Sequence, residues 1–378
     1  METDSRFHRL CRSVQFVLDR PADQPRAHSR GTHGLLGRVR SHGLRVNEVA
    51  TPGLYTAARR VSETLQLPEV LELYVVNDPH ANAYAPVLAP HSRPFVIINS
   101  GLAELLGPTE MEFAIGHELG HLGCRHGVDE DDEQADRSEF ESLQRRSRSR
   151  YAEISADRIG LLASRSVFTA ARVMVKMASG LSDKSLMLDI DAFLAQLDES
   201  PESVGREWEL HESHPGLPLR LSAVMQFSRT REYARISGGG QDGQPLQAVD
   251  EALAAEFAAV GDGHLDRMEQ EFIHLALAWV GLALVMDDSV IEGAEERALR
   301  ELVGAEHAES AMAYARAQGR DAVLAKLGEA VHRIRGSQEG LLQRFRKSVR
   351  SFCQQLGMQW QQTAAGPILG GIMHERPE

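Results

Sequence analysis

Thr109-Glu110-Met111-Glu112-Phe113-Ala114-Ile115-Gly116-His117-Glu118-Leu119-Gly120-His121 is the stretch on which the reading of this chain turns. Glu112 stands three residues after Thr109, the spacing of a capping box, so Thr109 is expected to cap a helix through Phe113, Ile115, Leu119 and Leu122. On such a helix His117 and His121 project from one face about a turn apart. Two neutral imidazole nitrogens so placed can bind one Zn2+ at roughly 2.0–2.1 Å. Glu118, beside the first ligand, can take a proton from a water on that ion as the water attacks a carbonyl. Gly116 and Gly120 are poor helix formers, read here as leaving space where metal and substrate approach.

A catalytic zinc needs a third protein ligand and an open position. Glu153-Ile154-Ser155-Ala156-Asp157 offers one, because Glu153 and Asp157 are again one turn apart and share a helix face. Glu153 can bind the metal while Asp157 accepts a hydrogen bond from a ligand histidine. Glu153 follows His121 by 32 residues, ample for a return helix. Cys124 and His126 are rival ligands by proximity. The helix carries Cys124 to a different face, however, and a buried thiol suits it better.

The chain has 378 residues, 42% of them hydrophobic and 25% charged, which suits two globular domains. Its formal net charge of −13 argues against nucleic acid as a partner. Three scattered cysteines, Cys11, Cys124 and Cys353, form no disulfide framework and fit a reducing, cytoplasmic setting. Met1 to Arg20 lacks the apolar core of a signal peptide. The longest apolar run, Phe272 to Met286, falls short of a membrane span and reads as a buried helix.

Residues 1–47, rich in Arg, His, Gly and Pro over their second half, are expected to form an irregular or mobile arm. Thr51-Pro52 opens a helix through Leu54, Ala58, Val61 and Leu65, and Leu71 to Val76 reads as a strand. Asn82-Ala83-Tyr84-Ala85 and Pro94 to Asn99 read as two more. An acidic run (129–141) and a basic run (145–150) suggest a charged loop before helical patterning resumes near Tyr151. The glycine-rich stretch 237–245 reads as a linker, and 246–378 as a separate helical domain.

The Asn82-Ala83-Tyr84-Ala85 strand, the His117–His121 helix, the Glu153–Asp157 helix and the later His214-Pro215 with Arg220 occur in an order that resembles the M48 metallopeptidases, a gluzincin family. The resemblance covers about residues 50–230. It implies an α+β, zincin-like, mainly helical domain at 48–236 with a small sheet, and hydrolysis of peptide bonds within a polypeptide substrate. It implies His117, His121 and Glu153 as ligands of one zinc per chain, Glu118 as general base and Asp157 as the acid behind a ligand. His214 is then the donor to the oxyanion, with His211 a weaker rival. Arg220 would bind the acidic groups or hold His214, and Asn82 would lie on a substrate-binding edge strand. Members of that family that lie in membranes differ from this chain, which has no spanning segment. In the C-terminal domain, Leu275 to Met286 with the acidic turn 287–295 resembles TerB-like helical domains and hints at a protein partner or an autoinhibitory contact. A non-catalytic or latent zinc-binding adaptor is the alternative function.

Overall fold

The computed structural model describes residues 5–19, 30–68, 71–86, 93–126, 139–195, 214–258, 263–286, 291, 293–334 and 339–373. His211, most of the acidic run and the TerB-like turn at 287–290 lie outside the described residues. The fold is mainly helical with one small sheet. Two compact units divide it: residues 1–134 with 146–260, and residues 135–145 with 261–378.

In the first unit, β1 (Leu44–Arg45), β2 (Glu72–Val76), β3 (Ala83–Tyr84) and β4 (Phe95–Asn99) form a sheet in the order β1-β2-β4-β3. β2 and β4 run parallel, and the short strands β1 and β3 flank them antiparallel. β4 reads Phe-Val-Ile-Ile without polar alternation because both faces of the sheet are covered. Val96 and Ile98 join the main core with Leu73, while Phe95 and Ile97 pack with Tyr74 and Val39 on the other side.

Val39 belongs to helix α2 (Arg30–His42), which corrects the expectation of an irregular arm. So does helix α1 (Arg6–Val14), whose Phe7, Cys11 and Val14 recur at helical spacing and are buried in the main core. The physical reason is coverage. A sheet with apolar residues on both faces needs a second layer, and this segment supplies it. Ser5 caps α1 by accepting a hydrogen bond from the His8 amide at 3.2 Å.

Helix α3 (Pro52–Thr64) begins after Thr51 as expected, and α4 (Ser100–Leu105) follows β4 directly. Helix α5 (Pro108–Cys124) starts two residues earlier than the sequence suggests. Gly107 is its cap, Pro108 takes the first helical position, and Glu110 accepts a hydrogen bond from the Gly107 amide at 2.7 Å. Thr109 therefore lies inside the helix. Glu112, freed from capping, pairs with Arg60 at 3.3 Å.

Helix α6 (Glu139–Ser164) takes up the basic run 145–150, expected to be loop. After it come α7 (Val167–Ser179), α8 (Ile190–Ala195), α9 (Leu217–Ser228), α10 (Arg231–Ser237) and α11 (Leu246–Phe257). The glycines after Ser237 do not separate domains. The Arg231 amide donates to the Gln244 carbonyl and the Gln244 amide to the Arg229 carbonyl, each at 3.0 Å. Gly243 sits at φ +135°, where a Cβ would stand 2.5 Å from the Arg229 carbonyl oxygen. The stretch is a tight reversal. It lays α11 back on the first unit, where Leu253 and Phe257 pack with Phe16, Ile154, Leu219 and Ala223.

The second unit is helical. Its central helix, Gly263–Val285, packs against Gly293–Val303, Arg320–Ile334 and Glu339–Gln355. The apolar run expected to be a buried helix supplies Ala276, Val280, Leu282 and Leu284 to its core. No helix among the described residues is long and apolar enough to cross a membrane.

Candidate metal centre

Helices α5 and α6 meet through small residues. A Cβ on Gly116 would stand 2.4 Å from the Cβ of Ala163, and one on Gly120 2.8 Å from the Cα of Ala156. These glycines thus make room for α6, not for metal or substrate as their poor helix propensity first suggested. The close crossing brings Glu153 across from His117 and His121.

The three side chains converge. His117 Nε2 and His121 Nε2 are 3.1 Å apart, and Glu153 Oε2 and Oε1 lie 3.5 and 3.4 Å from them respectively. Four ligands at roughly 2.0–2.1 Å in a tetrahedron stand about 3.4 Å from one another, so these donors form one face of such a site. The chemistry of the set, two imidazoles and a carboxylate, also suits zinc.

Behind this face stands Asp157, fully buried, with Oδ1 2.9 Å from His117 Nδ1. A carboxylate on that nitrogen holds the ring with Nε2 free to coordinate. From α9, Arg220 donates Nε and Nη2 to the two oxygens of Asp157, each at 2.7 Å, and its Nη1 lies 2.8 Å from Glu153 Oε2. Pro218 at the start of α9 and the Gly216 cap fix where Arg220 enters. His214, exposed, brings Nε2 to 3.5 Å from Glu153 Oε1.

The electrostatics follow. Burial disfavours the Glu153 carboxylate, but Arg220 above all, with His117 and His121, holds its pKa well below the ordinary glutamate range. Asp157 is lowered in the same way, Arg220 and His117 outweighing its burial. Burial, reinforced by the charge of Glu153, pushes the Glu118 carboxyl up. Burial opposes a charge on His121, yet Glu153 and Glu118 push it up to about 9. That is the response of an imidazole to an anionic pocket, the kind a divalent cation would neutralise.

Of the residues singled out from sequence, His117, His121, Glu153, Asp157, Arg220 and His214 are brought together here. Asn82 is not among them. It precedes the edge strand β3, where its carbonyl accepts from the Asn99 amide at 2.9 Å. Sequence reading missed a second group of contacts. His121 Nδ1 lies 2.9 Å from His126 Nδ1, and His126 Nε2 lies 2.7 Å from Asp19 Oδ2. Asp19 is 107 residues from His126, and no spacing could have linked them.

Two histidines one turn apart on one helix, with a glutamate from the next, form a group that could hold a metal ion, as the gluzincin resemblance implies. Comparison with known sequences agrees: residues 50–134 match the model of peptidase family M48. The plastoglobule-localized metallopeptidase 48 of Arabidopsis thaliana is 31% identical over 191 residues, covering 44% of this chain and 55% of the plant protein. A protease HtpX homolog of Pelotomaculum thermopropionicum is 38% identical over 81 residues, covering 21% of this chain and 28% of that protein. Another, from Tropheryma whipplei, is 34% identical over 90 residues, covering 24% and 30%. The chain thus spans about half the length of the plant relative and less than a third of the HtpX homologs. No solved structure matches significantly.

Proposed function

We propose that this protein is a zinc-dependent endopeptidase, with one zinc per chain held by His117, His121 and Glu153. The observation that carries the reading is the convergence of two imidazole Nε2 atoms, 3.1 Å apart, on the Glu153 carboxylate, whose Oε2 lies 3.5 Å from His117 and whose Oε1 lies 3.4 Å from His121. When bound there, zinc would polarise the scissile carbonyl and acidify the attacking water. Glu118 would take the proton from the attacking water and return it to the leaving amine; burial, which pushes its pKa up, makes its carboxylate the stronger base. His214 stands exposed beside Glu153, where its ring can donate to the oxyanion. Asp157 and Arg220 orient His117 and Glu153. The strand β3, reached through Asn82 and at the sheet edge among the described residues, offers that edge to an extended polypeptide by strand addition. The three buried free cysteines suit a reducing, cytoplasmic setting.

The rival is an adaptor in which zinc is structural. Glu118→Gln separates them. The variant should bind one equivalent of zinc as the wild type does and lose cleavage of an unfolded protein substrate by at least ~100-fold. Wild-type turnover by this variant would remove Glu118 from the mechanism. A wild-type chain that binds zinc but cleaves no unfolded substrate would favour the adaptor.

A further inference from the structure

The two imidazoles of the metal centre are supported differently. His117 Nδ1 meets the carboxylate of Asp157 directly, at 2.9 Å. His121 Nδ1 meets another imidazole, that of His126, which in turn meets Asp19. Two ring nitrogens 2.9 Å apart form a hydrogen bond only if one carries the proton and the other a lone pair. A His121 that coordinates through Nε2 carries its proton on Nδ1, so His126 Nδ1 must accept. The proton of His126 then sits on Nε2, where Asp19 Oδ2 accepts it at 2.7 Å.

Both members of this chain are held in place by structure that has no other evident use at the site. Helix α5 ends on Arg125 in the left-handed region at φ 62°, and the His126 amide bonds back to the His121 carbonyl at 2.9 Å. This turn folds His126 back beneath His121. On a continuing helix, the residue five positions on would face elsewhere. Asp19 is 7% exposed and is gripped by Gln15, whose Nε2 donates to its carbonyl at 2.9 Å and to Oδ2 at 3.1 Å. The segment before it is tied to α6 and α11. Arg158 donates to the Val14 carbonyl, the Phe16 amide to Ser155 Oγ, and the Val17 amide to Asp250.

We infer that His126 and Asp19 are positioning residues for the metal ligand His121. They form a carboxylate–imidazole relay that fixes its tautomer and ring orientation from the N-terminal segment of the chain. The inference rests on the reading of His121 as a zinc ligand. Cys124 also lies close to Asp19 and His126, so the same three side chains could in principle hold a second metal ion. Their hydrogen bonds to one another and to His121 favour the relay.

The test is zinc affinity of the full chain, by competition with a chromophoric chelator, for four variants. His126→Phe keeps the ring volume and removes the acceptor. His126→Asn places an amide oxygen near the position of Nδ1. Asp19→Ala removes the far end of the relay, and a double variant combines it with His126→Phe. His126→Phe is expected to weaken zinc binding by about 10–100-fold, and His126→Asn to recover most of the loss. Asp19→Ala should weaken binding by roughly 10-fold, with no further effect in the double variant, because Asp19 acts only through His126. Circular dichroism of the metal-free variants reports whether each remains folded. Wild-type affinity in folded His126→Phe would overturn the relay, as would His126→Asn no better than His126→Phe. A second zinc equivalent lost with Asp19→Ala would replace it with a metal site. Absence of zinc binding by the wild type would instead sink the reading of the centre itself.

Discussion

Arg220 holds Asp157 side-on, with Nε and Nη2 each 2.7 Å from a different carboxylate oxygen, while its remaining amino group lies 2.8 Å from Glu153. One guanidinium therefore serves both the carboxylate behind His117 and the carboxylate among the proposed ligands, a geometry an ammonium cannot reproduce. Replacing it with methionine leaves two buried carboxylates short of their cation, at a cost of about 3–5 kcal/mol. Zinc would restore part of that charge. Arg220→Met should thus lower the melting temperature more in chelator than in excess zinc. Equal losses in both conditions would make Arg220 a packing residue only.

Gly120 faces the backbone of α6, so its role is to set the distance between the helices. A Cβ there would lie 2.8 Å from the Cα of Ala156, a backbone atom that cannot step aside. Gly120→Ala should cost about 1–3 kcal/mol by overpacking and should weaken zinc binding by separating Glu153 from the histidines. Denaturant unfolding and chelator competition measure the two effects. A variant more stable than wild type, as helix propensity alone would give, would contradict the packing argument.

A buried ion pair away from the centre supplies a pH dependence. Lys176, wholly buried, has its Nζ 2.7 Å from Glu110 Oε2 and 2.7 Å from Asp183 Oδ1. Burial works against the Glu110 charge, but its hydrogen bonds to Lys176, the Gly107 amide and Arg172 lower its pKa. A carboxyl lowered on folding adds stability above its unfolded pKa and loses it as pH falls through the folded value. Glu110→Gln should be about 2–4 kcal/mol less stable than wild type at pH 7, Asp183 sparing part of the loss. The gap should narrow as pH falls below roughly 4.3, the unfolded glutamate value, and close only as pH passes through the lower folded value, where Glu110 itself protonates. A gap constant from pH 7 to pH 3 would remove the charge from the account.

The extent of the first unit predicts how the chain can be shortened. A chain ended at Ser237 loses Asp250 from its pair with the buried Arg158, and Leu253 and Phe257 from the cluster around Phe16. It should express poorly or unfold with a transition well below that of a chain ended at Val260, where the compact unit ends. Comparable melting of the two would show that α11 contributes nothing to the first unit.

Periodicity and motif reading found the helices of the candidate metal centre, because each one is local. His117 with His121, and Glu153 with Asp157, are spaced by four, and that spacing is the geometry of a helix face. Strands β2, β3 and β4 were equally legible from runs such as Phe95 to Ile98, whereas the two-residue β1 was not. What misled was composition. Glycine between Ser237 and Pro245 suggested a linker where it permits a reversal at φ +135°. Gly116 and Gly120 suggested open space where they admit a neighbouring helix. The polar N-terminal segment suggested a mobile arm, although the spacing of Phe7, Cys11 and Val14 was that of a buried helix face.

The sequence by itself determined the proposed donor set: two histidines and a glutamate, a second glutamate beside the first histidine, and the helices that present them. Tertiary structure alone decided what stands behind each donor. Asp157 lies behind His117 because α6 crosses α5 at glycine distance, and Arg220 joins them from α9. His126 and Asp19 lie behind His121 because a left-handed turn ends α5 and because buried hydrogen bonds pin the N-terminal segment under it. Hydrogen bonds of that kind join residues more than a hundred positions apart. Their partners are chosen by burial and packing, and no local spacing encodes them.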